Sequence, residues 1–144
     1  MDVLKFLKSI RAKRNELSTL IETRDTLRAT LMPSGIRYDL DRVQTSPSDR
    51  MLEVNVDLYE INITIENRMN LLIRDIQLAS HVIDQIETSE LRTLLWLRYI
   101  SGDRPTTWED VAKEMNYSVQ HVKEYMHDKA IEEARIIWRR LNTL

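Results

Sequence analysis

Within the stretch "YSVQHVKEY", Ser118, Gln120, His121, Lys123 and Glu124 fall close together. Their side chains cover most of the chemistry needed at the edge of a base pair. An amide such as Gln120 pairs bidentately with adenine, an ammonium such as Lys123 reaches guanine or a phosphate, and a carboxylate such as Glu124 accepts from cytosine. A serine in front of a helix, with the free N–H groups behind it, is a place for a phosphate oxygen. Other chemistries find less support. His121 and His127 are six apart, whereas helical metal ligands pair at three or four, and no third ligand accompanies them. Glu124 and His127 stand at i, i+3 and read as a surface pair. The sequence holds no cysteine and no glycine-rich phosphate loop, and no nucleophile stands beside a base and its orienter. No metal, cofactor or catalytic role is expected.

Groove-reading residues work only if a scaffold presents them, and "TWEDVAKEMNYSVQHVKEYM" has the parts of one. Thr107 and Asp110 are placed as a capping pair for a short helix ending near Met115, with Val111 and Ala112 facing inward. Ala112 is small enough to let a second helix approach. Asn116-Tyr117 forms the turn, since asparagine tolerates a left-handed backbone. Ser118 then caps a new helix with Val122 buried. This spacing predicts a helix-turn-helix, whose second helix offers its N-terminal residues to the major groove. The alternative is a three-helix bundle that touches no DNA.

The remainder of the 144 residues also reads as helix: two glycines, three prolines and many Leu, Ile, Glu and Arg. From Asp2 to Leu31 apolar residues recur mostly at three, four or seven until Met32-Pro33-Ser34-Gly35 stops them. After Ser48 or Asp49 as cap, a ladder runs Met51, Val54, Leu58, Ile61, Ile65, Met69, Leu72, Ile76, Ala79, Ile83, Ile86 in steps of three and four. It predicts a helix roughly 54 Å long. "EINITIE" alternates like a strand, but the ladder passes through it unbroken. Two long helices joined by one loop should pack antiparallel. Leu52, Val56, Tyr59 and Ile63 add a second apolar line, which is either a wide core face or a self-association surface. From Ser89 to Ile100 a further helix precedes the Thr107 cap. Trp96, Trp108 and Trp138 are expected in the core of the C-terminal bundle, and Arg135, Arg139 and Arg140 suit either phosphate or the helix dipole. The fold expected is all-α: a long antiparallel helical hairpin (residues 1–87, oligomerisation) followed by a three-helix helix-turn-helix unit (88–144).

The net charge of −2 is spread as +3 over residues 1–50, −4 over 51–100 and −1 over 101–144. No segment is basic enough for tight non-specific nucleic-acid binding, which depends on neutralising phosphates. Charges interrupt every apolar run of "MDVLKFLKSIRAKRNEL", so neither a signal peptide nor a membrane span is expected, and the cytoplasm is the expected compartment.

"LRTLLWLRYISGD…TWEDVAKEMNYSVQHVKEYMHDKAI" resembles region 4 of bacterial sigma factors, with Leu97, Arg98, Tyr99, Glu109, Val111, Ala112, Ser118, Val122, Ala130 and Ile131 at matching places. One spacing departs: Val122 to Ala130 is one residue longer than the pattern. "RYDLDRVQTSPSDR", with the long helix and this unit behind it, resembles a family of small phage and prophage proteins of Gram-positive bacteria, related to ArpU- and RinA-type late transcriptional activators. The resemblance implies double-stranded DNA as partner and transcription control as role. It leaves open what the loop does. Arg37, Tyr38, Asp39, Asp41, Arg42 and Gln44 are either a contact surface for DNA or RNA polymerase, or a structural loop whose Asp and Ser residues cap helices. A dimer would offset the low charge by reading two half-sites. The alternatives are a small terminase-like packaging subunit, and an RNA-polymerase-binding module without autonomous DNA binding.

Overall fold

The computed structural model describes residues 1–31, 47–101 and 106–143. The described residues are all-α: α1 Val3–Leu31, α2 Pro47–Ile83, α3 Ser89–Leu95, α4 Trp108–Met115 and α5 His127–Asn142. α3 continues into a π-helical turn, Trp96–Ile100, and a second π-helical segment, His121–Met126, leads into α5. The candidate contact loop Arg37–Gln44 lies outside the described residues.

α1 and α2 form the long hairpin. α2 opens on Pro47, where the missing N–H is no loss because the first-turn donors lack helical partners. The cap expected at Ser48 or Asp49 is therefore corrected: Asp49 stands inside the first turn, where its charge faces the positive end of the helix dipole. "EINITIE" is helical throughout, since the long-range ladder outweighs the local β-branched preference.

Two compact units are built from these elements. One holds Glu16–Asn70. Within it Leu17 and Ile65 are buried, and Arg68 and Glu16 pair at 3.4 Å. The line Leu52, Val56, Tyr59, Ile63 is exposed, so it is not a wide core face of this chain. The other unit holds Met1–Asn15 with Leu71–Leu144. This grouping follows packing and cuts both long helices, whereas a division at residue 87 follows chain order.

The core of the second unit is drawn from every one of its helices. Val3, Leu7 and Ile10 of α1 are buried, as are Ala79, Val82 and Ile83 of α2. Leu94, Leu95 and Tyr99, then Val111, Val122, Ala130 and Ala134, complete it. α3 packs on α5, and α4 on the π-helical segment before α5. Three small residues, Ala112, Ala130 and Ala134, let these helices approach closely.

The tryptophans are not its centre, which corrects the sequence expectation. Trp96 is 41% exposed. Trp138 is half-buried; its indole N–H donates to the Met1 carbonyl at 2.9 Å and its ring meets Phe6 at 5.0 Å. Arg135 has a partner too: its guanidinium makes two hydrogen bonds to Asp2, at 3.1 and 3.3 Å. These contacts tie the start of α1 to the last helix.

Candidate nucleic-acid interface

α4 is bounded at both ends by local chemistry. The Thr107 hydroxyl accepts from the Asp110 N–H at 3.2 Å. At the other end Asn116 is left-handed, at φ 62° and ψ 39°. The Asn116 N–H reaches the Lys113 carbonyl at 3.3 Å and the Tyr117 N–H reaches that of Ala112 at 3.1 Å. These two bonds form a Schellman closure, which satisfies carbonyls the ended helix would leave free. Two residues later the Ser118 hydroxyl accepts from the His121 N–H at 3.1 Å and starts the next helix. Turn, cap and helix follow one another without a spare residue. Val111 and Val122 are fully buried and Ala112 nearly so, which fixes the crossing of the two helices.

The second helix is not regular. The His127 N–H bonds to the carbonyl of Val122, five residues back. A π turn of this kind absorbs one residue without breaking the helix. It lets Val122 and Ala130, eight residues apart, share one face. In a plain α-helix eight residues would rotate Ala130 roughly 80° away from Val122, whereas absorbing one brings the two within roughly 20°. Both are in fact fully buried. The same shift turns His127 inward. The surface pairing of Glu124 with His127 is thus corrected: His127 is buried, and its Nε2 shares a 2.7 Å hydrogen bond with the Tyr99 hydroxyl.

All five candidate base- and phosphate-contacting residues, Ser118, Gln120, His121, Lys123 and Glu124, are exposed. The Gln120 amide donates to the Glu124 carboxylate at 3.2 Å, which orients the amide along the helix. The His121 ring stands between two tyrosines that sequence reasoning passed over. It is 5.1 Å from Tyr117 and stacks on Tyr125 at 5.2 Å, 21° from parallel. The signal was available: Tyr117, His121 and Tyr125 are spaced at i, i+4, i+8, which places rings on one helical line. The Tyr117 hydroxyl donates to Glu90 at 2.9 Å, and that carboxylate pushes the phenol pKa up.

Behind this face the packing is aromatic and cationic. The Arg98 guanidinium lies 4.1 Å above the Trp108 ring and donates to the Thr106 carbonyl at 2.7 Å. Trp108 meets His127 edge-on at 4.8 Å. Burial is the main reason that the His127 pKa falls to about 4, with the nearby cations of Arg98 and Lys8 adding to it and Asp128 opposing. Burial also lowers the pKa of Arg98, and Arg11 lowers it further.

Among the described residues, no helix is long and apolar enough to cross a membrane. Comparison with protein-family models, with curated proteins and with solved structures yields no match for this chain.

Proposed function

We propose that the protein is a sequence-specific DNA-binding regulator of transcription, acting in the cytoplasm with the helix after Ser118 in the major groove. One observation carries this reading. A capped helix, a left-handed Asn116 turn and a capped second helix follow in immediate succession, and the second helix leaves Gln120, His121, Lys123 and Glu124 on its exposed N-terminal face. The phage or prophage setting rests on the sequence resemblance alone.

The test is to incubate the purified protein with sheared DNA of its source genome at moderate salt and to sequence what is retained. A sharp peak upstream of an operon is expected. The double variant Gln120→Ala, Lys123→Ala should erase the peak while leaving the far-ultraviolet circular dichroism unchanged, because both side chains are exposed. A peak at a packaging start would transfer the protein to the terminase class. Absence of any enrichment at low salt would defeat autonomous DNA binding and leave a protein such as RNA polymerase as the partner.

The same proposal includes a dimer through α2. Leu52, Val56, Tyr59 and Ile63 are exposed at steps of four, three and four, the spacing of a coiled-coil seam. Their flanks favour a parallel pair of two copies. A parallel register sets Asn55 opposite the second copy's Glu60, whereas an antiparallel one sets glutamate against glutamate. Val56→Glu with Ile63→Glu should convert a sedimenting dimer to a monomer with no loss of helix content. A wild-type chain that sediments as a monomer at tens of micromolar would remove the dimer from the proposal.

A further inference from the structure

The second compact unit contains a cleft of about 640 Å³ whose lining is unlike the rest of the surface. Lys8 and Arg11 reach it from α1, Arg98 from the π turn after α3, and Lys123 from the helix after Ser118. Trp108, Tyr99 and His127 form its aromatic wall. No carboxylate lines it. A neighbouring cleft of about 670 Å³ shows the contrast: there Glu124, Asp128 and Glu132 balance Lys129 and Arg135.

Four cations converge in the first cleft, and none of the four has an ion-pair partner among the described residues. Arg98 is the most constrained of them. It is held flat against Trp108 and tethered to the Thr106 carbonyl. Its Nε–H is buried with no acceptor among the described residues, the one such side-chain atom found there. A buried guanidinium donor without an acceptor is costly, and so are like charges gathered in a cleft whose lining holds no carboxylate, Glu109 acting on Arg98 from outside it. On α1, Lys8, Arg11, Ala12 and Asn15 all line the cleft, and Ala12 adds little bulk to its wall. The volume lies within the range of about 300–1,000 Å³ typical of small-ligand sites.

We propose that this cleft is a phosphate-binding site, in which Lys8, Arg11 and Lys123 surround the anion and Arg98 adds a fixed positive charge in the wall. Guanidinium and ammonium groups are the usual partners of phosphate oxygens. The backbone of the bound duplex is the favoured source of that phosphate, because Lys123 belongs both to the cleft and to the exposed face of the helix after Ser118. Only this choice of source rests on the DNA-binding reading; the site itself does not.

The experiment follows the Arg98 Nε–Hε resonance by nitrogen–proton correlation NMR on the full chain. The probes are inorganic phosphate and a short duplex, and Lys123 is left intact. Inorganic phosphate should move the resonance saturably. Lys8→Ala with Arg11→Ala should weaken that response by about tenfold. Ala12→Phe, which fills the cleft and leaves all four cations, should abolish it. If the duplex moves the same resonance and phosphate competes with it, the backbone is the source. The double variant should then lower the salt slope of duplex binding by about 1 for each cation removed. If phosphate binds and the duplex leaves the resonance unmoved, the site stands and its ligand is a free phosphorylated molecule, whatever becomes of the DNA-binding reading. A phosphate response that does not saturate, or that survives Ala12→Phe unchanged, overturns the proposal.

Discussion

Tyr99→Ala should destabilise the C-terminal helical unit by about 3–5 kcal/mol, the range for removing a buried aromatic ring. Tyr99 is the largest of the fully buried side chains, at 1% exposure. It sits in the π turn that ends α3, and its hydroxyl is the hydrogen-bond partner of the buried His127. Truncation therefore leaves a cavity and orphans an imidazole nitrogen. Tyr99→Phe separates the two effects. It keeps the ring and removes only the hydroxyl, so it should cost about 1–3 kcal/mol, the penalty for a buried polar group left unpaired. Urea denaturation followed by tryptophan fluorescence measures both, because Trp96, Trp108 and Trp138 all lie in this unit. Equal losses for the two variants would mean that the ring packs loosely and the hydrogen bond dominates. A loss below about 1 kcal/mol for Tyr99→Ala would contradict the packing described.

Tyr99 and His127 also mark where sequence reasoning reaches its limit. The helix boundaries around the turn are legible because they are local. Thr107, Asn116 and Ser118 each act on backbone groups within five residues, and all three do what their types suggest. The long α2 is legible for the opposite reason: its ladder is sustained over so many turns that a short β-like stretch cannot redirect it. The π turns are not legible in this way. A plain 3.6-residue count sends His127 to the surface beside Glu124, and only the need to bury both Val122 and Ala130 reveals the extra residue. The tryptophans fail for a related reason. Aromatic type argues for burial, but Trp138 is placed by Met1 and Phe6, and Trp108 by Arg98. Met1 and Phe6 are distant in sequence from Trp138, and nothing near that tryptophan encodes them. The cleft cations are hidden likewise: Lys8 and Arg11 look like ordinary solvated residues of an amphipathic helix until α1 is packed beside α4 and the helix after Ser118.

His127 should make this unit acid-labile in a defined window. Its folded pKa of about 4 lies below the ordinary value of 6.5, mainly because burial disfavours the imidazolium. Above pH about 6.5 the imidazole is neutral in both states, so the packing around it contributes in full. Between about 6.5 and 4 the unfolded chain takes up a proton that the native chain does not, and stability falls as the pH falls. Below about 4 both states are protonated and this loss is complete. A shift of this size corresponds to about 2–3 kcal/mol once solvent screening is allowed for. Burial fixes the sign: among the charges facing the imidazole, Asp128 favours its protonation, and Arg98 and Lys8 oppose it. Asp2 behaves differently. The Arg135 guanidinium holds its carboxyl below the usual 3.8, so its contribution persists until the pH drops beneath that value. Urea midpoints measured from pH 7.5 to 4.5 therefore isolate the histidine. His127→Gln keeps a polar partner near the Tyr99 hydroxyl and cannot titrate, so it should flatten that slope while lowering the plateau stability at neutral pH. A wild-type midpoint that does not change over this range would show that His127 carries its proton equally well folded and unfolded. Trp108 of α4 packs edge-on against this ring, and the ring belongs to the helix that Ser118 begins. The acid transition should therefore loosen the helix-turn-helix before it melts α2. Loss of DNA retention, on the function proposed, should track the fluorescence change of the C-terminal unit rather than the loss of total helix.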